Sequence, residues 1–337
     1  MTSRERVLAL IAGHAPDRTP LMPITMMIAA DEIGIPYGRY AREHAVLVEA
    51  QIAIANRFDF DHVSAITETR EAPDCGAVVR YFDEQPYAID ETMSRLIEKS
   101  ELGRLKPPDP ETAPAMSDRL LALRQLKERA GESKIVEGWV EGPCGAGADL
   151  RGINRLMLDF NDDVTFVRDL FEWVVHLALR FAKAQVDAGA DVIGIGDPAA
   201  SLAGPRIYRE FIWEWQKKLV DGIAALGAHT RLHICGNTRP ILKDIAGLNA
   251  DIVDVDSLVP MADARARMGD RQILLGGIDP VRQLLNASPD EVLAAILRCK
   301  EEAGPRYIIA AGCEVPRGTP HANLHMMAQA AEKSGSQ

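Results

Sequence analysis

A TIM-type (β/α)8 barrel is the fold that this sequence predicts. Short apolar, strand-like runs alternate with helix-like stretches through all 337 residues, as in a parallel β/α protein. Eight such runs can be counted, and no mid-chain linker is long enough to separate domains, so the chain reads as a single domain over 1–337. Polar and thiol side chains gather at the C-terminal ends of the runs, where a barrel carries its chemistry. Eight βα units suit a closed barrel better than an open doubly wound sheet.

Residues 1–18 read as an N-terminal helical extension, with its helix over about 3–13. Thr19-Pro-Leu-Met-Pro-Ile-Thr25 is the first strand, followed by a polar loop with Gly and Pro and a helix over about 41–57. The second strand is His62-Val-Ser-Ala-Ile-Thr67. Residues 75–95 then break the alternation, because 77–82 and 87–90 predict a β-hairpin excursion outside the sheet. Lys106-Pro-Pro-Asp-Pro110 is an extended linker, since its prolines fix φ and remove donors. A helix over about 115–130 leads to the strand 134–140, which ends at Glu141-Gly-Pro-Cys-Gly145.

The clearest helix opens at Asn161-Asp-Asp. Val164, Val167, Leu170, Phe171, Val174, Val175 and Ala178 mark one apolar face at helical spacing. The acidic start suits the positive end of the helix dipole, and Gly189 supplies the stop. Further strands are predicted at 191–197, from Thr230 to a glycine at 236, at 251–256, at 272–279 and at 306–312. Helices follow each of them, opened by Pro205, after Pro240, near 260, by Ser288 with Glu291 as a capping box, and near Pro320. Only 332–337 reads as a frayed tail.

The net charge is −11, from 49 acidic against 38 basic residues, and no long basic run accompanies it. Nucleic acid and anionic membrane surfaces are therefore excluded as partners. The N-terminus has no apolar signal core, and no run approaches the roughly 18 apolar residues of a membrane span, so the expected location is cytoplasmic. The five cysteines (75, 144, 235, 299 and 313) are odd in number and lack framework spacing. They suit buried thiols and metal ligands in a reducing compartment better than disulfides.

The strand ends carry Glu68, Glu141, Cys144, Asp197, His233, Cys235, Asp256, Asp279 and Cys313. An apolar strand needs none of them for packing. His233 and Cys235 are two residues apart, so in an extended chain both leave the same face. Asp254 and Asp256 share a parity on the next strand, and Cys313 ends an apolar run two strands beyond that one. A histidine, two thiolates and a carboxylate complete a tetrahedral zinc site, or leave one position for substrate. The alternative is a core histidine beside two small buried thiols. Three such residues at strand ends favour the metal. Glu141, Asp197 and Asn237 stand at the same rim, and position alone makes them candidates for orienting substrate. His321 and His325 lack the glutamate of a zincin motif and read as a surface pair.

His233-Ile-Cys-Gly-Asn-Thr238, Gly276-Gly-Ile-Asp-Pro280 and Gly312-Cys-Glu-Val-Pro316, in that order, resemble the uroporphyrinogen decarboxylase superfamily over nearly the whole chain. Within it, His-x-Cys with a distal Cys is similar to the zinc-dependent corrinoid methyltransferases. The arginine-rich segment that would bind substrate carboxylates in the decarboxylases is here Pro23-Ile-Thr-Met-Met-Ile-Ala-Ala-Asp-Glu32, and the first arginine after it is Arg39. That departure favours the methyltransferase branch.

The resemblance implies zinc held by His233, Cys235 and Cys313. Likeness to the cobalamin-independent methionine synthases implies Asp256 as fourth ligand, with Glu141 and Asp197 as alternatives. It further implies methyl transfer between a corrinoid (cobalamin) on a separate protein, docked at the barrel mouth, and a small substrate. That substrate is a thiol acceptor or an O-, N- or S-methyl donor. A metal-free decarboxylase and a non-catalytic zinc-containing binding protein are the competing readings. Whether the chain forms a homodimer is left open.

Overall fold

The structure is a computed structural model that describes residues 1–68 and 71–333. Its strands are β1 (His62–Ser64), β2 (Val79–Arg80), β3 (Ala88–Ile89), β4 (Ile135–Glu141), β5 (Val192–Gly196), β6 (His229–His233), β7 (Ile252–Val255), β8 (Ile273–Gly276) and β9 (Tyr307–Ile308). Seven of them form one parallel sheet in the order β1-β4-β5-β6-β7-β8-β9. β2 and β3 pair antiparallel outside it, as the expected hairpin.

The sheet curls into a barrel, and the stave that closes it is only one bridge long. Leu21 bridges Ile309 in parallel, with Met22 N–H donating to the Ile309 carbonyl and Ile309 N–H to the Pro20 carbonyl. On its other side the Leu21 carbonyl accepts from Asp61 N–H. The strand expected over 19–25 shrinks to this point because Pro20 and Pro23 have no N–H for a ladder.

The N-terminal helix Ser3–Ile11, capped by a Thr2–Glu5 capping box, closes the barrel floor. Its Val7 and Leu10 pack against Met22, Ile135, Val192, Ile252, Ile273 and Ile308. Arg6 and Arg18 converge on the fully buried Asp61, whose carboxylate also accepts from Leu21 N–H at 2.7 Å. Extension, closing stave and β1 are thus fastened at one carboxylate.

The helix expected from 161 runs Val164–Asp187, with the Asp163 side chain capping Phe166 N–H. The later capping box at Ser288 and Glu291 starts the helix Pro289–Ala303. The chain also holds helices beyond the eight expected. Met27–Glu32 and Tyr37–Arg42 occupy the segment read as a loop, and Pro143–Arg151 follows β4 directly. π-helical turns lie at Tyr208–Ile212 and Pro280–Leu285. The last helix, His321–Glu332, ends where the frayed tail was expected, and 334–337 lie outside the described residues. Among the described residues no helix is long and apolar enough to cross a membrane.

Register sets the levels of the barrel interior. Trp139 of β4 lies opposite Gly194 of β5, which lies opposite Arg231 of β6. One level higher, Glu141, Gly196 and His233 are aligned in the same way. The glycine at each level leaves open the space that a side chain would fill.

Candidate metal centre

His233 is the last residue of β6, and the chain continues past buried Ile234 to Cys235 before turning at Gly236. Gly236 takes φ +86°, a conformation that side chains disfavour, and its N–H donates to Asp256 Oδ2 at 2.8 Å. Cys313 arrives from the end of the β9 segment. The preceding Gly312 makes this approach possible, because a Cβ there would lie 2.6 Å from the backbone nitrogen of Ser257.

The three predicted ligands meet. His233 Nε2 lies 3.1 Å from Cys235 Sγ and 3.7 Å from Cys313 Sγ, and the three donor atoms all fall within 4.8 Å of one another. Tetrahedral zinc with bonds of about 2.0–2.3 Å separates its ligand atoms by roughly 3.3–3.8 Å, so one ion fits among them with small adjustments. One nitrogen and two sulfurs are the donor set of a borderline-soft metal. The five cysteines are all free, consistent with ligand rather than disulfide chemistry.

The other ring nitrogen is also accounted for. His233 Nδ1 lies 3.0 Å from Asp254 Oδ2, which leaves Nε2 as the atom that could ligate a metal. A carboxylate behind a ligating imidazole fixes its orientation and tautomer. Burial works against ionised Asp254, but Arg231 and His233 hold it below the usual carboxylate range. Burial likewise opposes a charged imidazole, yet Asp254 and Cys313 push His233 up to about 10. The two thiols share a proton unequally. The hydrogen bond between them raises Cys235 and lowers Cys313, and burial adds to the first while His233 favours the second.

A cavity of about 220 Å³ opens above this group at the barrel mouth. His233, Cys235 and Cys313 form part of its wall, facing Trp139, Glu141 and Met26. Three protein donors facing a cavity is the arrangement of a catalytic metal site, not a closed structural one.

The remaining predicted residues separate. Glu141 lines the cavity, and burial with Asp149, Glu71 and Asp197 nearby pushes its carboxyl well above the usual range. Asp256, expected as fourth ligand, does not join the three-residue group. Its Oδ2 accepts from Gly236 N–H and its Oδ1 from Leu258 N–H, so it shapes the loop that carries Cys235. Asp197 is fully buried behind the wall, accepting from Gly145 N–H and Gln216 Nε2 at 2.7 Å each. Burial pushes it up to about 6, against those two donors. Asn237 is exposed, and its Oδ1 accepts from Arg239 N–H in the loop. Neither Asp197 nor Asn237 forms part of the cavity wall, and the substrate-orienting role expected of them finds no geometric basis. Asp279 caps the turn at Val281 and Arg282, and Cys144 is a buried thiol away from the metal group.

Two contributors were not singled out from the sequence. Asp254 was legible only as one of two aspartates of equal parity, with nothing in the sequence to say which faces the histidine. Arg231 carried a clearer signal, a charge inside an apolar strand with the parity of His233.

The family model described as "Uroporphyrinogen decarboxylase (URO-D)" matches residues 2–334. The methylcobamide:CoM methyltransferase MtbA of Methanosarcina mazei is 30% identical, over 98% of both chains. A uroporphyrinogen decarboxylase of Nostoc is 29% identical over 70% of this chain and 68% of its own. A solved structure of a methyltransferase from Methanosarcina mazei superposes with a TM-score of 0.90 over 99% of both chains, at 22% identity, which establishes the shared barrel. With a family match across nearly its full length and a barrel of the same shape, this chain belongs to the uroporphyrinogen decarboxylase family.

Proposed function

We propose that this chain is a zinc-dependent methyltransferase that moves a methyl group between the corrinoid of a separate protein and a small substrate held above the metal. The observation that carries the reading is the meeting of His233, Cys235 and Cys313 at a mouth cavity, with Asp254 behind the imidazole. End-to-end similarity to a methylcobamide:CoM methyltransferase supports the corrinoid and the methyl transfer. Zinc at this site would lower the pKa of a thiol acceptor, or act as Lewis acid on the oxygen, nitrogen or sulfur of a methyl donor.

The chain's own groups do the rest. His233, Cys235 and Cys313 hold the metal towards the cavity, and Asp254 fixes the ring. Trp139 and Met26 offer apolar contact to a small substrate. Glu141, whose carboxyl burial pushes well above the usual range, offers it a polar contact on the same wall. At about 220 Å³ the cavity is below the ~300–1,000 Å³ of pockets for drug-sized ligands. A corrinoid macrocycle is larger than such ligands, so it stays on its carrier, which docks over the mouth. The free thiols suit a reducing compartment, and the cytoplasm is the proposed location. A decarboxylase of a substrate bearing many carboxylates is poorly served, since among the described residues the wall carries one arginine and four glutamates.

The test is anaerobic. Purified protein is expected to hold close to one zinc per chain and to change the cobalt spectrum. The change would come from methylcobalamin with a thiol, or from Co(I) cobalamin with an O-, N- or S-methyl donor. Zinc-loaded protein that leaves both spectra unchanged across a panel of thiols and donors would refute the reading.

A further inference from the structure

Barrel interiors are normally filled by layers of branched apolar side chains. Beneath the metal group this one holds a fully buried guanidinium. Arg231 donates from Nε and Nη2 to Asp254 at 2.9–3.1 Å, and from Nη1 to Glu137 Oε1 at 3.1 Å. Asp254 faces His233 Nδ1, the ring whose other nitrogen faces the two thiols. Glu137 is equally buried, and its Oε2 accepts from Ser64 Oγ at 2.9 Å and from the indole N–H of Trp139 at 3.0 Å. Arg231 also stands 5.4 Å from the centre of the Trp139 ring. That ring lies against Gly194, where an added Cβ would come within 2.4 Å of it, and it forms part of the cavity wall. The planar fork of arginine reaches two carboxylates on different strands at once, which lysine's point charge cannot do.

We propose that Arg231 is a positioning residue that serves the metal ligand and the substrate wall together. Through Asp254 it fixes His233, and through Glu137 and its place over the face of the indole it fixes Trp139. The two functional halves of the cavity therefore share one buried support. This rests on the metal reading above, for the His233 branch only.

The experiment compares cobalt(II) affinity with the fluorine NMR spectrum of protein labelled with 5-fluorotryptophan. The chain has 4 tryptophans, so the spectrum has few lines, and Trp139→Phe assigns the one that matters. Asp254→Asn should weaken cobalt binding by about 10–100-fold while leaving the Trp139 resonance in place. Arg231→Met should weaken cobalt binding similarly and also shift Trp139, with the other three resonances unmoved; a merely structural loss would move all four. Because that variant leaves two carboxylates close together, Arg231→Met with Glu137→Gln is measured alongside it, and Arg231→Lys should give smaller changes of the same kind. If neither methionine variant folds, Arg231→Lys is decisive. An arginine variant that folds with wild-type cobalt affinity, or with an unmoved Trp139 resonance, overturns the proposal. If the wild-type protein takes up neither cobalt nor zinc, the metal reading itself fails, and the Trp139 shift still decides the other branch.

Discussion

At the residue scale, the metal group separates ligands from neighbours of the same chemical type. Asp254 and Asp256 sit two residues apart, yet one backs His233 and the other spends both oxygens on backbone N–H groups. Metal content should divide along that line. His233→Ala, Cys235→Ala and Cys313→Ala should fold and purify with little zinc, whereas Asp256→Asn should keep close to the wild-type content. Zinc loss in Asp256→Asn equal to that of the ligand variants would show that the loop rearranges to recruit it. Protonation gives a second expectation. With His233 pushed up to about 10 and Cys235 also raised, both hold protons at pH 7, while Cys313 is lowered and does not. Zinc requires a neutral imidazole and two thiolates, so uptake at pH 7 should release about two protons, and affinity should fall as pH falls. Calorimetry in two buffers of different ionisation enthalpy reads the number directly.

At the element scale, local signals were legible where a short-range rule decides the structure. The capping box expected at Ser288–Glu291 forms, and a second one at Thr2–Glu5, not read from the sequence, starts the floor helix. The apolar face of Val164–Asp187 was likewise visible in its periodicity. Long-range pairing is where the reading fell short. The closing stave has one bridge where seven residues suggested a strand, because its prolines interrupt the donors. The helix Pro143–Arg151 opens immediately after β4, and its residues Pro-Cys-Gly-Ala-Gly carry weak helix propensity. Two substitutions separate element from site. Ser288→Ala should cost about 1 kcal/mol in urea unfolding and leave metal content unchanged. Gly312→Ala should cost about 1–3 kcal/mol and also reduce metal content, since its Cβ would push the Cys313 segment away from Ser257. Unchanged zinc in Gly312→Ala would show that the segment yields without moving the thiol.

At the scale of the whole molecule, one carboxylate closes the barrel at the end opposite to the chemistry. Asp61 binds Arg6 of the floor helix, Arg18 of the segment that leads into the stave, and the N–H of Leu21. Removing one partner of such a buried network strands the others, at a cost of about 3–5 kcal/mol. Asp61→Ala should therefore lower the urea midpoint far more than Ser288→Ala does. A small change would mean that water or Asp59, which also accepts from Arg18 at 2.8 Å, takes over the arginines.

The sequence by itself determined the barrel, because alternation and period are local properties of the chain. It also picked out the candidate metal ligands that the barrel brings together. A histidine and two cysteines stand at the ends of two strands, and strand parity puts the first two on one face. What only the tertiary structure decided was the partner of each polar group. Asp254 rather than Asp256 backs the histidine because the register of β6 and β7 brings it there. Asp197 supports a helix start instead of facing substrate because Gly145 and Gln216 reach it first. Arg231 lies beneath the site because barrel closure lets one guanidinium bridge strands whose carboxylates are 117 residues apart in the chain, at positions 137 and 254. Local patterns fix which groups point inward, but hydrogen bonds are won by distance, and distances across a barrel exist only once it has closed.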